Sequence, residues 1–253
     1  MYFYSYKLHR IMRIFLPFLL LIVSLSAFGQ FSSSLDCVGA MNIGYRYINP
    51  NKSDVPSGFI DIRNNEKADL RADVGINYNI KIGSNLYFRT GLRFANKGYN
   101  SRKFDNDHKW GIQSQNGVFN PNIPSGEKEK PNSQFKYHYF FIEIPLVARY
   151  EFLHKNKLSF YAEAGGAASY YMKSVTVQKL GSDRKLIKIN DEAINNIQIS
   201  TIFSVGANYQ LNYKTQLFLQ PTFNYNLTDL VSAPVNEHLY SAGLEFGCRH
   251  RIK

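Results

Sequence analysis

The chain has 253 residues, 44% of them hydrophobic and 15% aromatic, and carries 30 Lys and Arg against 19 Asp and Glu, a formal net charge of +11. The basic residues form no patch of the kind that grips a nucleic acid, and beyond the first 29 residues no apolar run reaches the roughly 20 residues of a spanning helix. The histidines lack metal-ligand spacing and no glycine-rich phosphate loop occurs, so neither a metal nor a cofactor is expected.

The first element is a targeting segment. Lys7, Arg10 and Arg13 precede the apolar run from Ile14 to Val23, and Ala27-Phe28-Gly29 supplies a small-x-small site. This pattern describes residues 1–29 as a secretory signal peptide cut before Gln30 or Phe31, with Met12 as an alternative start. Its rival is an uncleaved anchor, for which the run is short. Of the 30 basic side chains, removal of these three leaves 27 against 19 acids, a net charge of +8 on an exported part, residues 30–253, that is within reach of one domain. That surplus suits an anionic lipid surface. Asp36 spoils the small-residue surroundings that a lipid-modified Cys37 would require.

From there the chain alternates apolar and polar residues with period two, the signature of half-buried strands. In ADLRADVGINYNI, Leu70, Ala72, Val74, Ile76, Tyr78 and Ile80 oppose Asp69, Arg71, Asp73, Gly75, Asn77 and Asn79. The same reading predicts strands over 36–47, 67–80, 85–98, 135–150, 157–172, 195–211, 215–227 and 238–252. Short connections (81–84, 151–156, 212–214) alternate with long ones (48–66, 99–134, 173–194, 228–237). Tight turns at one end, long loops at the other and an even strand count predict an all-β, eight-stranded antiparallel transmembrane β-barrel of the outer-membrane type in a Gram-negative envelope, with both termini in the periplasm. Tyrosines at strand ends, among them Tyr47, Tyr99, Tyr150, Tyr170, Tyr171 and Tyr209, are expected at the membrane interfaces.

The strand YHYFFIEIPLVARY (Tyr137–Tyr150) shows what solvent each face meets. Phe140, Ile142, Ile144, Leu146 and Ala148 lie on one face, and Tyr139, Phe141, Glu143, Pro145, Val147 and Arg149 on the other. Glu143 is therefore expected to point into a polar lumen. Asp73, Arg93, Glu143, Glu163 and Glu245 fall at similar heights on their strands, with Arg46 and Arg71 slightly higher and Arg89 lower. Eight strands enclose an interior that side chains can fill, so these residues are expected to form an ion-pair plug; a proton or ion path is the alternative. Pro145 and Pro221 each remove a ladder hydrogen bond, and a bulge or irregularity is expected at both. The strands that close the barrel bring Cys37 and Cys248 near each other on the outer face, which permits a disulfide.

Four pieces of the chain are similar to the PorT-like outer-membrane β-barrel domain family: YFFIEIPLVARY (139–150), LRFANKGY (92–99), FLQPTFNYNLTDL (218–230) and LYSAGLEFGCR (239–249). The resemblance implies an outer-membrane barrel; most members have no assigned role, and the founding members are implicated in a secretion and gliding apparatus. The ending His250-Arg251-Ile252-Lys253 departs from the terminal aromatic of many such barrels.

Chemistry is sparse. His238 lies near Asp229, Glu237 and Ser241 at the rim, a set that could be cast as Ser-His-acid, without spacing that guarantees the geometry. The external loops are the stronger candidates. Lys173, Lys179, Arg184, Lys185 and Lys188 in the loop 173–194 could meet anionic lipid, lipopolysaccharide phosphates or another envelope or secretion protein. The sequence thus points to a non-enzymatic structural or interaction component, with a narrow porin-like channel and a rim-located lipid-modifying enzyme as alternatives.

Overall fold

The computed structural model describes residues 32–49, 66–101, 103, 133–180, 183–187, 194–231 and 236–252. The signal-peptide segment, most of the loops 48–66 and 99–134, and Lys188 lie outside the described residues.

Among the described residues nine strands follow one another: β1 (Ser33–Asn49), β2 (Asp69–Lys81), β3 (Leu86–Asn100), β4 (Ser133–Lys155), β5 (Leu158–Leu180), β6 (Asp183–Ile187), β7 (Ile197–Gln210), β8 (Thr215–Asn226) and β9 (Asn236–Arg251). Eight of them close a ring of antiparallel pairs in the order β1-β2-β3-β4-β5-β7-β8-β9 and back to β1. The seam is long, running from Ser34 opposite Arg251 to Asn49 opposite Asn236. β6 stands outside the ring and, among the described residues, pairs with the last residues of β5. The stretch expected as a loop at 173–194 is therefore partly a hairpin that carries the sheet above the barrel.

The three tight turns and both ends of the described chain lie at one end, the turn end. Asn156, at a φ of 52°, makes the β4–β5 turn, and asparagine tolerates that left-handed conformation. Asn212 accepts the backbone N–H groups of Lys214 and Thr215 through Oδ1 between β7 and β8. β4 continues to Lys155, so the turn expected at 151–156 begins five residues later, at Asn156.

Alternation sorts the faces as expected. Met41, Ile43, Leu70, Val74, Leu92, Leu146, Phe203, Val205, Leu219 and Leu244 are exposed on the outside, whereas Arg89, Arg93, Glu143, Arg149, Glu163 and Glu245 are buried inside. A soluble domain would bury the first group; this barrel turns it outward, as a hydrocarbon solvent requires.

The prolines bring the expected irregularity, as a gap in the ladder and not as a bulge. The β3–β4 register is the same on both sides of Pro145, but the ladder lacks the pairs between Thr90–Leu146 and Arg93–Glu143. Pro221 leaves the same gap between Ser204–Thr222 and Ala207–Leu219. Each ring costs local hydrogen bonding without adding a residue. The extra residues occur instead on the β4–β5 ladder, at Phe152 and Met172. Both side chains are exposed and apolar, so each bulge adds to the outer face.

A second departure concerns the tyrosines. Tyr99 and Tyr171 are buried inside, with Tyr137, Tyr139, Phe135 and Phe141, in one cluster that also takes in Ala95, Ile194, Leu230, Val231 and Leu239. The loop end of the interior is an aromatic core. Its packing is close enough that β3 passes β4 on a glycine: Gly98 has a φ of 148°, and a Cβ there would collide with the Tyr137 carbonyl oxygen.

Candidate functional site

The interior is filled in two tiers, at the loop end and in the middle. At the loop end Arg46 is buried between two carboxylates. Its Nε donates to Glu66 Oε2 at 2.6 Å and its Nη1 to Glu237 Oε2 at 2.8 Å, and its guanidinium lies over the Tyr99 ring, 4.0 Å from the centroid. Glu66 comes from the segment before β2, so the clamp draws external chain into the mouth. The bridge between Ile194 and Val231 and the Leu230 N–H bond to the Glu237 carbonyl close over the same end.

The middle tier is a chain of alternating charges. Arg93 grips Glu245 with two bonds, at 2.7 and 2.9 Å. Arg89 joins Glu245 at 2.8 Å to Glu163 at 2.7 Å. Glu163 accepts in addition from Arg149 Nε at 2.6 Å and Ser204 Oγ at 2.9 Å. Arg149 passes on to Asp36 at 4.0 Å, and Asp36 is held by both ends of the Arg249 fork at 2.8 and 3.0 Å. Four arginines and three acids thus run from mid-barrel to the turn end, with one loose link of 4.0 Å between Arg149 and Asp36. Burying so many charges is tolerable only because each has a partner of opposite sign.

Of the residues expected in one belt, Arg89, Arg93, Glu163 and Glu245 do come together. Glu143 does point into the lumen, but its partners are Lys97 Nζ at 2.8 Å and Ser169 Oγ at 2.9 Å. Asp73 takes Asn42 Nδ2 and the backbone N–H of Asn96. Arg71 pairs with Asp69 at 2.9 Å and contacts the His138 ring. Strand tilt and shear displace residues of equal strand height from one another. The sequence reading missed Asp36, Lys97, Arg149 and Arg249 as partners, although each stands on the inward parity of its strand.

The rim set does not assemble as a catalytic group. His238 Nε2 lies 3.2 Å from Asp229 Oδ1 and its Nδ1 faces the Asn226 carbonyl at 3.1 Å. Glu237 turns instead to Arg46, and Ser241 is on the opposite face of β9, within 3.5 Å of Asn224 Nδ2. Parity alone separates the nucleophile from the base.

Cys37 and Cys248 are direct partners across the seam, yet both are free thiols. The Ile252 N–H bond to the Ser33 carbonyl sets the phase of this ladder. Counting down in twos makes 37/248 a hydrogen-bonded pair, in which opposite residues stand farther apart than in the alternate class. The structure has the two thiols facing each other unbridged, at a pairing where a disulfide was only permitted. Alkylation of the unreduced, denatured protein is expected to label both, read by intact mass; a single unlabelled pair would contradict this geometry.

Among the basic residues of the hairpin, Arg184 and Lys185 are exposed on β6, with Lys179 opposite Arg184. Lys173 is exposed on the outer face, its Nζ 5.5 Å from the Phe140 ring centroid. The Met172 bulge is the cause: by adding one residue it reverses the parity of β5, and Lys173 faces out where simple alternation would turn it inward.

A family model described as outer membrane protein beta-barrel domain matches residues 31–232, well over half of the chain. The comparison with curated proteins finds no match. Among solved structures, Neisserial surface protein A is similar at 14% identity, over 88% of this chain and 97% of that one, with a TM-score of 0.41. OprG from Pseudomonas aeruginosa is similar at 8% identity over 87% and 96%, TM-score 0.42. A major outer membrane protein from Thermus thermophilus is similar at 12% identity over 88% and 100%, TM-score 0.43.

Proposed function

The chain belongs to the outer membrane protein β-barrel domain family, and from that premise we propose that it is a closed, non-conducting and non-enzymatic barrel, a structural or interaction component of the outer membrane. The observation that carries this reading is the packed interior. An aromatic core at the loop end and a paired charge chain below it leave the middle of the lumen to side chains. The turn end and both termini face the periplasm in this reading, as short turns do in the family's architecture.

Contacts then fall to the loop end. Lys173, beside an outward phenylalanine at the rim, is suited to the phosphates of lipopolysaccharide or another anionic lipid. Lys179, Arg184 and Lys185 on the β5–β6 hairpin extend the same positive surface toward an envelope protein. The Glu-Ile-Pro strand, Glu143–Pro145, supports membership in the PorT-like branch and with it a link to a protein-secretion apparatus; neighbouring partners cross-linked through hairpin residues in native membranes would test that link.

The closed lumen is tested by planar-bilayer recording of the purified barrel. No steady single-channel steps are expected. Regular steps would overturn the reading, and their loss in Glu143→Ala or Arg93→Ala would place an ion path through the charged tiers.

A further inference from the structure

The turn end is built differently from the rest of the interior. Below Asp36 the lumen widens into an open cavity of about 360 Å³, within the lower range of small-ligand sites. Its walls hold six cations, Lys81, Arg149, Lys157, Lys214, Arg249 and Arg251, and one acid, Glu151. Glu151 is already engaged, by His154 Nε2 at 3.0 Å and by Asn208 Nδ2 at 3.4 Å. Arg149 and Arg249 are already paired in the mid-barrel chain, but the other four cations, Lys81, Lys157, Lys214 and Arg251, share the described wall with Glu151 as its one acid.

An independent feature points the same way. Arg149, 1% exposed, is among the residues around the cavity, and its buried Nη2 has no hydrogen-bond partner among the described residues; Asp36 is 4.0 Å away. A buried guanidinium N–H without an acceptor is costly. Serine, asparagine and glutamine side chains on the remaining wall add further donors. Many donors, fork-shaped guanidiniums and an unbalanced positive charge match an oxyanion with several acceptor oxygens and more than one charge.

We propose that this cavity is a binding site for a phosphate-bearing anion. Arg149 and Arg249 form its floor, and the exposed cations Lys157, Lys214 and Arg251 draw the anion in from the rim. The chemistry is shared by a free phosphorylated small molecule and by an anionic phospholipid head that reaches over the rim. The site is independent of which membrane side the turn end faces and of whether the barrel conducts.

The test is isothermal titration calorimetry of the full-length protein, purified in nonionic detergent, with sodium pyrophosphate. Saturable binding that weakens with added salt is expected. The double substitution Lys81→Glu, Arg251→Glu lies at the rim and outside the charge chain; it is expected to weaken binding by roughly tenfold or more. Lys214→Ala alone should give a smaller, graded loss and serves if the double variant does not fold. Repeating the titration in lipid discs separates the sources: a lower apparent affinity when phosphatidylglycerol is included assigns the site to a lipid head, and an unchanged affinity assigns it to a free phosphate compound. Absence of saturable binding, or full binding by the folded rim variants, would overturn the proposal.

Discussion

Glu163→Ala is expected to destabilise the barrel by about 3–5 kcal/mol, the cost of stranding buried charges by removing their partner. The carboxylate is 3% exposed and meets Arg89 at 2.7 Å and Arg149 at 2.6 Å. Its loss leaves Arg89 with Glu245, but leaves Arg149 with only the distant Asp36. Ser204 and Gln220 lose their acceptor at the same time. Glu163→Gln keeps the shape and an acceptor oxygen, and should cost clearly less than the alanine. Urea titration of the lipid-embedded barrel, followed by far-ultraviolet circular dichroism, reads both. A loss below about 1 kcal/mol for the alanine variant would mean that water solvates the guanidiniums and that the lumen is not filled as described.

Much of this barrel is legible in the sequence because period-two alternation reports which solvent each side chain meets. Strand number, the tight turns and the inward direction of Glu143, Glu163 and Glu245 all follow from that one signal. Partners do not. Glu143 and Arg93 are direct neighbours on the β3–β4 ladder, yet Arg93 reaches across to Glu245 and Glu143 takes Lys97. Height along a strand is one coordinate, whereas contact inside a tilted cylinder needs the shear as well. Tyr99 and Tyr171 illustrate a second limit: a tyrosine near a strand end is equally at home in a headgroup layer or, on the other parity, in an aromatic core. Lys173 illustrates a third, since a single bulged residue at Met172 reverses the face of everything after it and leaves no mark in composition.

These limits share a cause, because alternation is local whereas the interior is assembled from strands far apart in sequence. Asp36 and Arg249 bond across the closing seam although 213 residues separate them. The seam therefore joins the first strand to the last by charge as well as by its ladder, and the turn-end cavity, lined by Arg249, opens just below that joint.

The parity itself is tested most directly by exchanging two neighbours, Glu143→Ile with Ile144→Glu, which preserves composition, length and net charge. In the barrel Glu143 is buried on Lys97 and Ser169, and Ile144 shares the outer face with Leu146, 41% exposed. After the exchange a carboxylate faces hydrocarbon near the middle of β4. That placement costs up to about 2 kcal/mol, below the roughly 2–4 kcal/mol of a lysine or arginine at the same depth. Lys97, half-buried and without its acid, adds a penalty of comparable size. The sum, on the order of 4 kcal/mol, is a large part of the stability of an ordinary domain. Refolding into phosphatidylcholine vesicles is therefore expected to lose the compact, heat-modifiable band on unboiled gels, while Glu143→Gln alone retains it. If the exchanged protein inserted with the same yield and midpoint as the parent, the assignment of Glu143 to the lumen and Ile144 to lipid would be wrong, and with it the direction of every side chain on β4.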